Sequence, residues 1–180
     1  MIIRHAEKHT NDTAGRSVNI EGAHAKHELT VRGWLRAGAL VPFFAHPSGL
    51  PEGAPISTPR SIFASGPSKQ SPSLRPKHTV LPLAVRLGIP IDTSHVCGQE
   101  ASVAAAALQA PGPVLIAWHH SHIRDIARSI AGDSIAYPEL WPDDRFDVVW
   151  ILDRPDAAAG PWTFSQLPQR LLHNDRAEPI

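Results

Sequence analysis

Three short apolar runs, each ending in groups suited to holding an anion, constrain this chain more than any other feature. Ile2-Ile3 runs into Arg4-His5, Ser61-Ile62-Phe63-Ala64 into Ser65 and a long loop to Arg75, and Val114-Leu115-Ile116-Ala117-Trp118 into His119-His120. Runs of this length and branching read as buried strands, and the last, apolar throughout, reads as central. In an open α/β sheet, ligands sit beyond the carboxyl ends of the strands. The sequence therefore predicts one shared site at that rim, built from residues far apart along the chain.

Helical patterns fill the gaps between the runs. Residues 9–28 are polar and glycine-containing and read as a loop. Thr30 then reads as an N-cap, followed by Trp34, Ala37 or Gly38, Val41 and Phe44 at helical spacing to about Ala45. Pro47–Pro59 is turn-rich. Pro76 suits the first turn of a second helix, which carries Val80, Leu83, Ala84 and Leu87 and stops at Gly88. Ile89-Pro90-Ile91 is a short extended piece. Glu100–Leu108 reads as a third helix, and Ile123–Ile130, closing at Gly132, as a fourth. Phe146–Leu152 and Trp162–Leu167 alternate as two strands joined at Gly160, an antiparallel pair at one edge. The expected architecture is α/β: a three-layer α/β/α sandwich with a mostly parallel central sheet, all in one domain spanning residues 1–180.

Composition narrows the function classes. Lys plus Arg total 17 and Asp plus Glu total 17, so there is no basic excess of the kind that nucleic-acid or anionic-membrane partners require. No apolar run approaches the roughly 20 residues of a bilayer span, and the N-terminus lacks the pattern of a signal peptide. The single cysteine, Cys97, excludes an internal disulfide and fits a reducing compartment. The expectation is a soluble cytoplasmic protein with no nucleic-acid or membrane partner.

Arg4-His5-Ala6-Glu7-Lys8 resembles the Arg-His-Gly or Arg-His-Ala signature of the histidine phosphatase superfamily, in the branch that includes the cofactor-dependent phosphoglycerate mutases. Leu29-Thr30-Val31-Arg32-Gly33 resembles the Leu-Thr-x-x-Gly opening of that family's first helix. Ser65 and the Arg75-x-x-x-Thr79 helix start resemble its second signature, and Val114–His119 the strand that carries its second histidine. The matches fall in the family's order and cover nearly the whole chain. The resemblance implies a phosphoglycerate mutase-like fold and hydrolysis of a phosphate monoester, from a small-molecule ester or a phosphoprotein, with no metal or other cofactor.

It also implies roles. His5 would be the nucleophile that forms a phosphohistidine, and His119 would be catalytic and bind phosphate. Arg4 and Arg75 would clamp phosphoryl oxygens, for which a guanidinium fork is the right shape and charge. Glu100 is the expected proton donor to the leaving group by order and context, with Glu7 as the alternative. Read without the family, Glu100 is equally well a helix N-terminal carboxylate stabilised by the dipole. Glu7, Ser65 and His120 are further expected pocket residues.

Four departures are informative. Ala6 replaces the commoner glycine, and the loop from Ser65 to Arg75 is longer than in mutases. His120 stands where mutases carry glycine, which favours phosphatase over mutase. Only three residues precede Arg4, so the first strand is shorter than is usual for the family, with the expectation that the natural start lies upstream. The rival readings are mutase-type phosphotransfer and a non-catalytic phosphate- or metal-binding module. The metal reading would use His5 with His9, His24 with His27, or His119, His120 and His122.

Overall fold

The computed structural model describes residues 1–10, 15–46, 48, 49, 53–154 and 160–180. Six strands form one sheet: β1 (Ile2–Arg4), β2 (Ser61–Ala64), β3 (Ile91–Asp92), β4 (Val114–Trp118), β5 (Val148–Asp153) and β6 (Thr163–Pro168). Their order is β3-β2-β4-β1-β5-β6. The pairs β2–β3, β2–β4 and β1–β4 are parallel, whereas β1–β5 and β5–β6 are antiparallel, so the sheet is mixed. The uniformly apolar β4 lies inside the sheet, and the antiparallel pair ends it on one side. The connection at 155–159 lies outside the described residues, as do residues 11–14 of the loop after the first strand and residues 47 and 50–52 of the turn-rich stretch. No helix among the described residues is long and apolar enough to cross a membrane.

The helices are α1 (Val31–Phe44), α2 (Arg75–Leu87), α3 (Glu100–Gln109) and α4 (Ile123–Ala131), with a one-turn 3-10 helix at His120–His122. Local chemistry sets their ends. Thr30 Oγ1 accepts the Gly33 N–H at 3.1 Å and starts α1. Pro76 occupies the first turn of α2, and Gly88 ends that helix in the left-handed conformation, φ 68°.

Alternation along the strands divides the core. Ile2, Phe63, Ile116, Trp118, Val148 and Trp150 cluster with Val103 and Ala107 of α3 and Ile123 and Ile126 of α4. Their strand neighbours Ile3, Ile62, Leu115, Ala117 and Val149 cluster instead with Leu40 and Phe44 of α1 and Val80 and Leu83 of α2. Each fully buried side chain of this size contributes about 1.5–3 kcal/mol, so both clusters hold the sheet flat against its helices.

The α1 stripe differs from the expected one by one position. Its buried residues are Gly33, Arg36, Ala37, Leu40 and Phe44, while Gly38 faces solvent and Val41 is half-buried. A charged residue occupies the centre of the buried face, and its partners explain why. Arg36 Nη2 meets Glu7 Oε1 at 2.8 Å and Asp175 Oδ1 at 2.7 Å, and Nη1 donates to Gln169 Oε1 at 3.0 Å. Gly33 is needed here because a Cβ would stand 2.6 Å from the Glu7 carbonyl oxygen. The first helix thereby packs directly on the chain segment that follows His5.

Candidate functional site

The parallel register brings the polar ends of three strands to one rim. Arg4 pairs with Trp118 across β1 and β4, and Ala64 with Ala117 across β2 and β4. Beyond the last paired residues, the His5 N–H donates to the Trp118 carbonyl at 2.9 Å and the Ser65 N–H to the Ala117 carbonyl at 3.1 Å. His5, Ser65 and His119 are thus the first residues to leave three neighbouring strands. The expected fourth residue of β1, His5, and fifth of β2, Ser65, lie just past the regular ladder.

His5 is buried, and its orientation is fixed. Its Nδ1 lies 2.8 Å from the Ala6 carbonyl oxygen. A carbonyl only accepts, so Nδ1 carries the proton and Nε2 presents a bare lone pair. The Ala6 N–H donates to Thr79 Oγ1 at 2.7 Å, which ties the segment after the histidine to α2 one turn beyond Arg75. Burial, then the charge of Arg4, push the His5 pKa well below the ordinary imidazole value; the charges of His119 and Arg75 act in the same direction. The ring therefore stays neutral at physiological pH.

His119 meets His5 edge-on, with ring centroids 5.6 Å apart and planes at 73°. Burial lowers its pKa to about 4, helped by the charges of His122 and Arg75 and opposed by Glu100. Its Nε2 faces Ser71 Oγ at 3.4 Å, in the long loop before α2.

Arg4 is 1% exposed. Its guanidinium lies over the Phe146 ring at 3.8 Å, and that ring also sits 6.1 Å from His5. Nη1 donates to the carbonyls of Pro142, Asp143 and Arg145 at 2.9–3.0 Å. Nε and Nη2 are equally buried and have no hydrogen-bond partner among the described residues. Burial lowers the Arg4 pKa to about 10, which leaves the group a cation at neutral pH. A buried cation with unmet N–H groups is costly, and an oxyanion is the ligand that relieves it.

Arg75 opens α2, and the loop before α1 holds its side chain. Nε donates to the Glu28 carbonyl at 3.0 Å and Nη2 to the Lys26 carbonyl at 2.8 Å, while Nη1 has only a 3.4 Å contact with Ser73 Oγ. Lys8 adds a further cation close enough to Arg4 and Arg75 for each to act on it electrostatically. His119 lies against His5, Arg4 and Arg75 each act on His5 electrostatically, and positive charge predominates around that ring.

The remaining expected residues fall into different settings. Glu100 is buried, near enough to His119 to act on it electrostatically, and its Oε1 accepts the Trp118 Nε1–H at 3.0 Å and the Gly98 N–H at 2.9 Å. Glu7 is turned away, with its carboxylate held by Arg36 and by Arg32 at 3.2 Å. Ser65 Oγ makes a 3.4 Å contact with the Gly66 carbonyl. Gly66 sits so tightly on the segment just past β3 that a Cβ there would be 2.3 Å from the Thr93 carbonyl oxygen. His120 pairs through Nε2 with Asp143 at 2.8 Å, and burial, then Arg4, lower its pKa to about 4.

Of the histidine groupings weighed for a metal, the trio His119, His120 and His122 does not converge among the described residues. His9 Nδ1 bonds the Gly15 carbonyl at 2.8 Å, and His24 and His27 are exposed. Among the described residues, the donors that converge are instead Cys97, Glu100 and His122.

Sequence reasoning missed Phe146, Asp143 and the 142–145 carbonyls, which build the wall of the Arg4 pocket from a connection with no recognisable motif. It also missed Lys8 and Ser71. A cavity of about 600 Å³ opens beside this wall, lined by Lys8, Arg32, Asp143, Phe146 and Arg176 among others. The chain matches no protein-family model and no curated protein sequence.

Proposed function

We propose that the chain is a phosphatase of the histidine phosphatase type, with a three-layer phosphoglycerate mutase-like α/β/α architecture, acting on a phosphate monoester. The observation that carries this reading is the pairing of His5, tautomerically fixed with Nε2 free, with a buried Arg4 whose Nε–H and Nη2–H groups lack partners. Nucleophile and oxyanion clamp are adjacent in sequence and fixed by separate contacts.

The chemistry follows from these groups. His5 Nε2 donates its lone pair to phosphorus, and the bond from phosphorus to the ester oxygen breaks. Glu100, in its protonated form, gives its proton to the departing oxygen. Arg4, Arg75 and His119 hold the three non-bridging oxygens, where positioning and charge stabilisation supply most of the acceleration in phosphoryl transfer. Water then attacks the phosphohistidine, the Glu100 carboxylate takes its proton, and inorganic phosphate leaves His5 as it began. Glu100 suits the proton transfer better than Glu7, whose carboxylate is taken up by two arginines.

The test is turnover of an aryl phosphate by the purified protein and by His5→Ala. The expected result is activity in the former and none in the latter, with the fold retained by circular dichroism. Undiminished activity of His5→Ala overturns the reading.

A further inference from the structure

The turn before α3 and the 3-10 helix after β4 bring together a thiol, a carboxylate and an imidazole that the proposed reaction uses only in part. One donor atom from each of Cys97, Glu100 and His122 lies within 4.8 Å of the other two. We infer that these three side chains form a binding site for a zinc-class divalent cation, and that occupancy of this site switches the phosphatase off.

The donor set selects the metal. Sulfur and imidazole nitrogen with one carboxylate oxygen suit zinc, cobalt or cadmium, whereas calcium and magnesium take oxygen. Zinc–ligand bonds of about 2.0–2.3 Å place tetrahedral ligand atoms roughly 3.5 Å apart, so the observed cluster needs only small rotamer adjustments to close on an ion. A thiolate and a carboxylate balance the divalent charge, which makes the complex neutral in a half-buried setting.

The frame around the donors is built in advance. Trp118 Nε1–H and the Gly98 N–H hold Glu100 through Oε1, and the hydrogen bonds made by its carboxylate leave Oε2 open. His122 Nδ1 faces that carboxylate at 3.5 Å, with Asp125 at 3.9 Å behind it. The turn bearing Cys97 is pinned by the Gln99 N–H to the Val96 carbonyl at 3.0 Å and by the bridge between Val96 and Gly66. Burial and the neighbouring Glu100 raise the Cys97 pKa, so the metal-free group is a thiol. Metal binding forms the sulfur–metal bond and releases the thiol proton to solvent, which makes affinity rise with pH.

The regulatory half rests on Glu100 as the proton donor of the proposed phosphatase. A carboxylate bound to a divalent cation cannot carry the proton that the leaving group needs. Metal therefore blocks turnover without touching His5, and a chelator restores it.

Two readouts separate the halves. The first titrates zinc into the tag-free protein against a chromogenic chelator and records the spectrum of the cobalt-loaded protein. Wild type is expected to show a thiolate-to-cobalt charge-transfer band, and Cys97→Ser and His122→Asn to bind zinc at least about tenfold more weakly. A cobalt complex without that band, or Cys97→Ser binding zinc as tightly as wild type, overturns the site. The second follows aryl phosphate turnover against zinc. Wild type is expected to lose activity in step with occupancy, whereas Cys97→Ser keeps its basal rate and resists the same zinc concentration. Metal bound at Cys97 with turnover unchanged overturns the switch and leaves the binding site standing. The cobalt spectrum needs no turnover, so it decides the site even if the phosphatase reading fails.

Discussion

Two buried arginines in this molecule have opposite surroundings. Arg36, at the seam between α1 and the C-terminal segment, is bonded to the carboxylates of Glu7 and Asp175. Burial disfavours its charge, but the hydrogen bonds it donates to Asp175 and Glu7 more than compensate, and its pKa lies above the ordinary guanidinium value. Arg4, at the sheet rim, faces only carbonyls on one nitrogen, and its pKa is lowered by the same burial. An arginine satisfied by carboxylates is part of the scaffold. One left with two nitrogens unpartnered among the described residues, beside a neutral, oriented histidine, is poised for an anion from outside.

That contrast can be broken by mutation. Arg36→Met removes the buried partner of two carboxylates and leaves them the half-exposed Arg32 as their remaining cation, and the expected loss is about 3–5 kcal/mol of folding stability by denaturant titration. Arg4→Met strands no carboxylate hydrogen-bonded to it, so its effect on folding is expected to be clearly smaller than that of Arg36→Met. An equal or larger loss for Arg4→Met would erase the distinction. The same Arg4→Met protein is expected to lose roughly 2–5 kcal/mol of affinity for phosphate or vanadate, measured by calorimetry, because a buried charge-assisted contact has gone. Unchanged anion affinity would place the clamp elsewhere.

A smaller effect comes from pH. His5, His119 and His120 all have lowered pKa values in the folded chain, the last two to about 4, chiefly through burial. The unfolded chain takes up these protons near 6.5, so it binds more protons than the folded state between that value and about 4. Stability from these groups is complete above this window and falls as pH drops through it. Denaturant midpoints are expected to decrease between about pH 7 and about pH 5, and saturating phosphate to reduce the decrease by favouring the protonated imidazoles. A phosphate-independent midpoint would count against anion binding among these rings.

The elements that local rules govern were legible in the sequence. The Thr30 cap, Pro76, Gly88 and the all-apolar β4 each carry their own signal, and the boundaries they predict agree with the structure to within a residue or so. The antiparallel strands start two residues or one residue later than their alternation suggested, at Val148 and Thr163. What was not legible depends on partners distant in sequence. The helical stripe of α1 omitted Arg36 because its buried charge makes sense only once Glu7 and Asp175 are beside it. The Arg4 pocket was half visible: the arginine was singled out, but Phe146 and the carbonyls that hold it come from a stretch without periodicity. Glu100 was singled out, yet its bond to Trp118 and its approach to His122 arise only when β4 and α3 pack together.

The central claim is that His5 Nε2 accepts a phosphoryl group held by the neighbouring guanidinium. Its most direct test is acid-sensitive phosphoprotein trapped by rapid quench during turnover of a labelled aryl phosphate, with the modified residue located by peptide mapping under alkaline conditions. The expected product is an acid-labile, base-stable phosphohistidine at position 5, absent from His5→Ala. Turnover with no phosphoprotein, or with label on another residue, would contradict it.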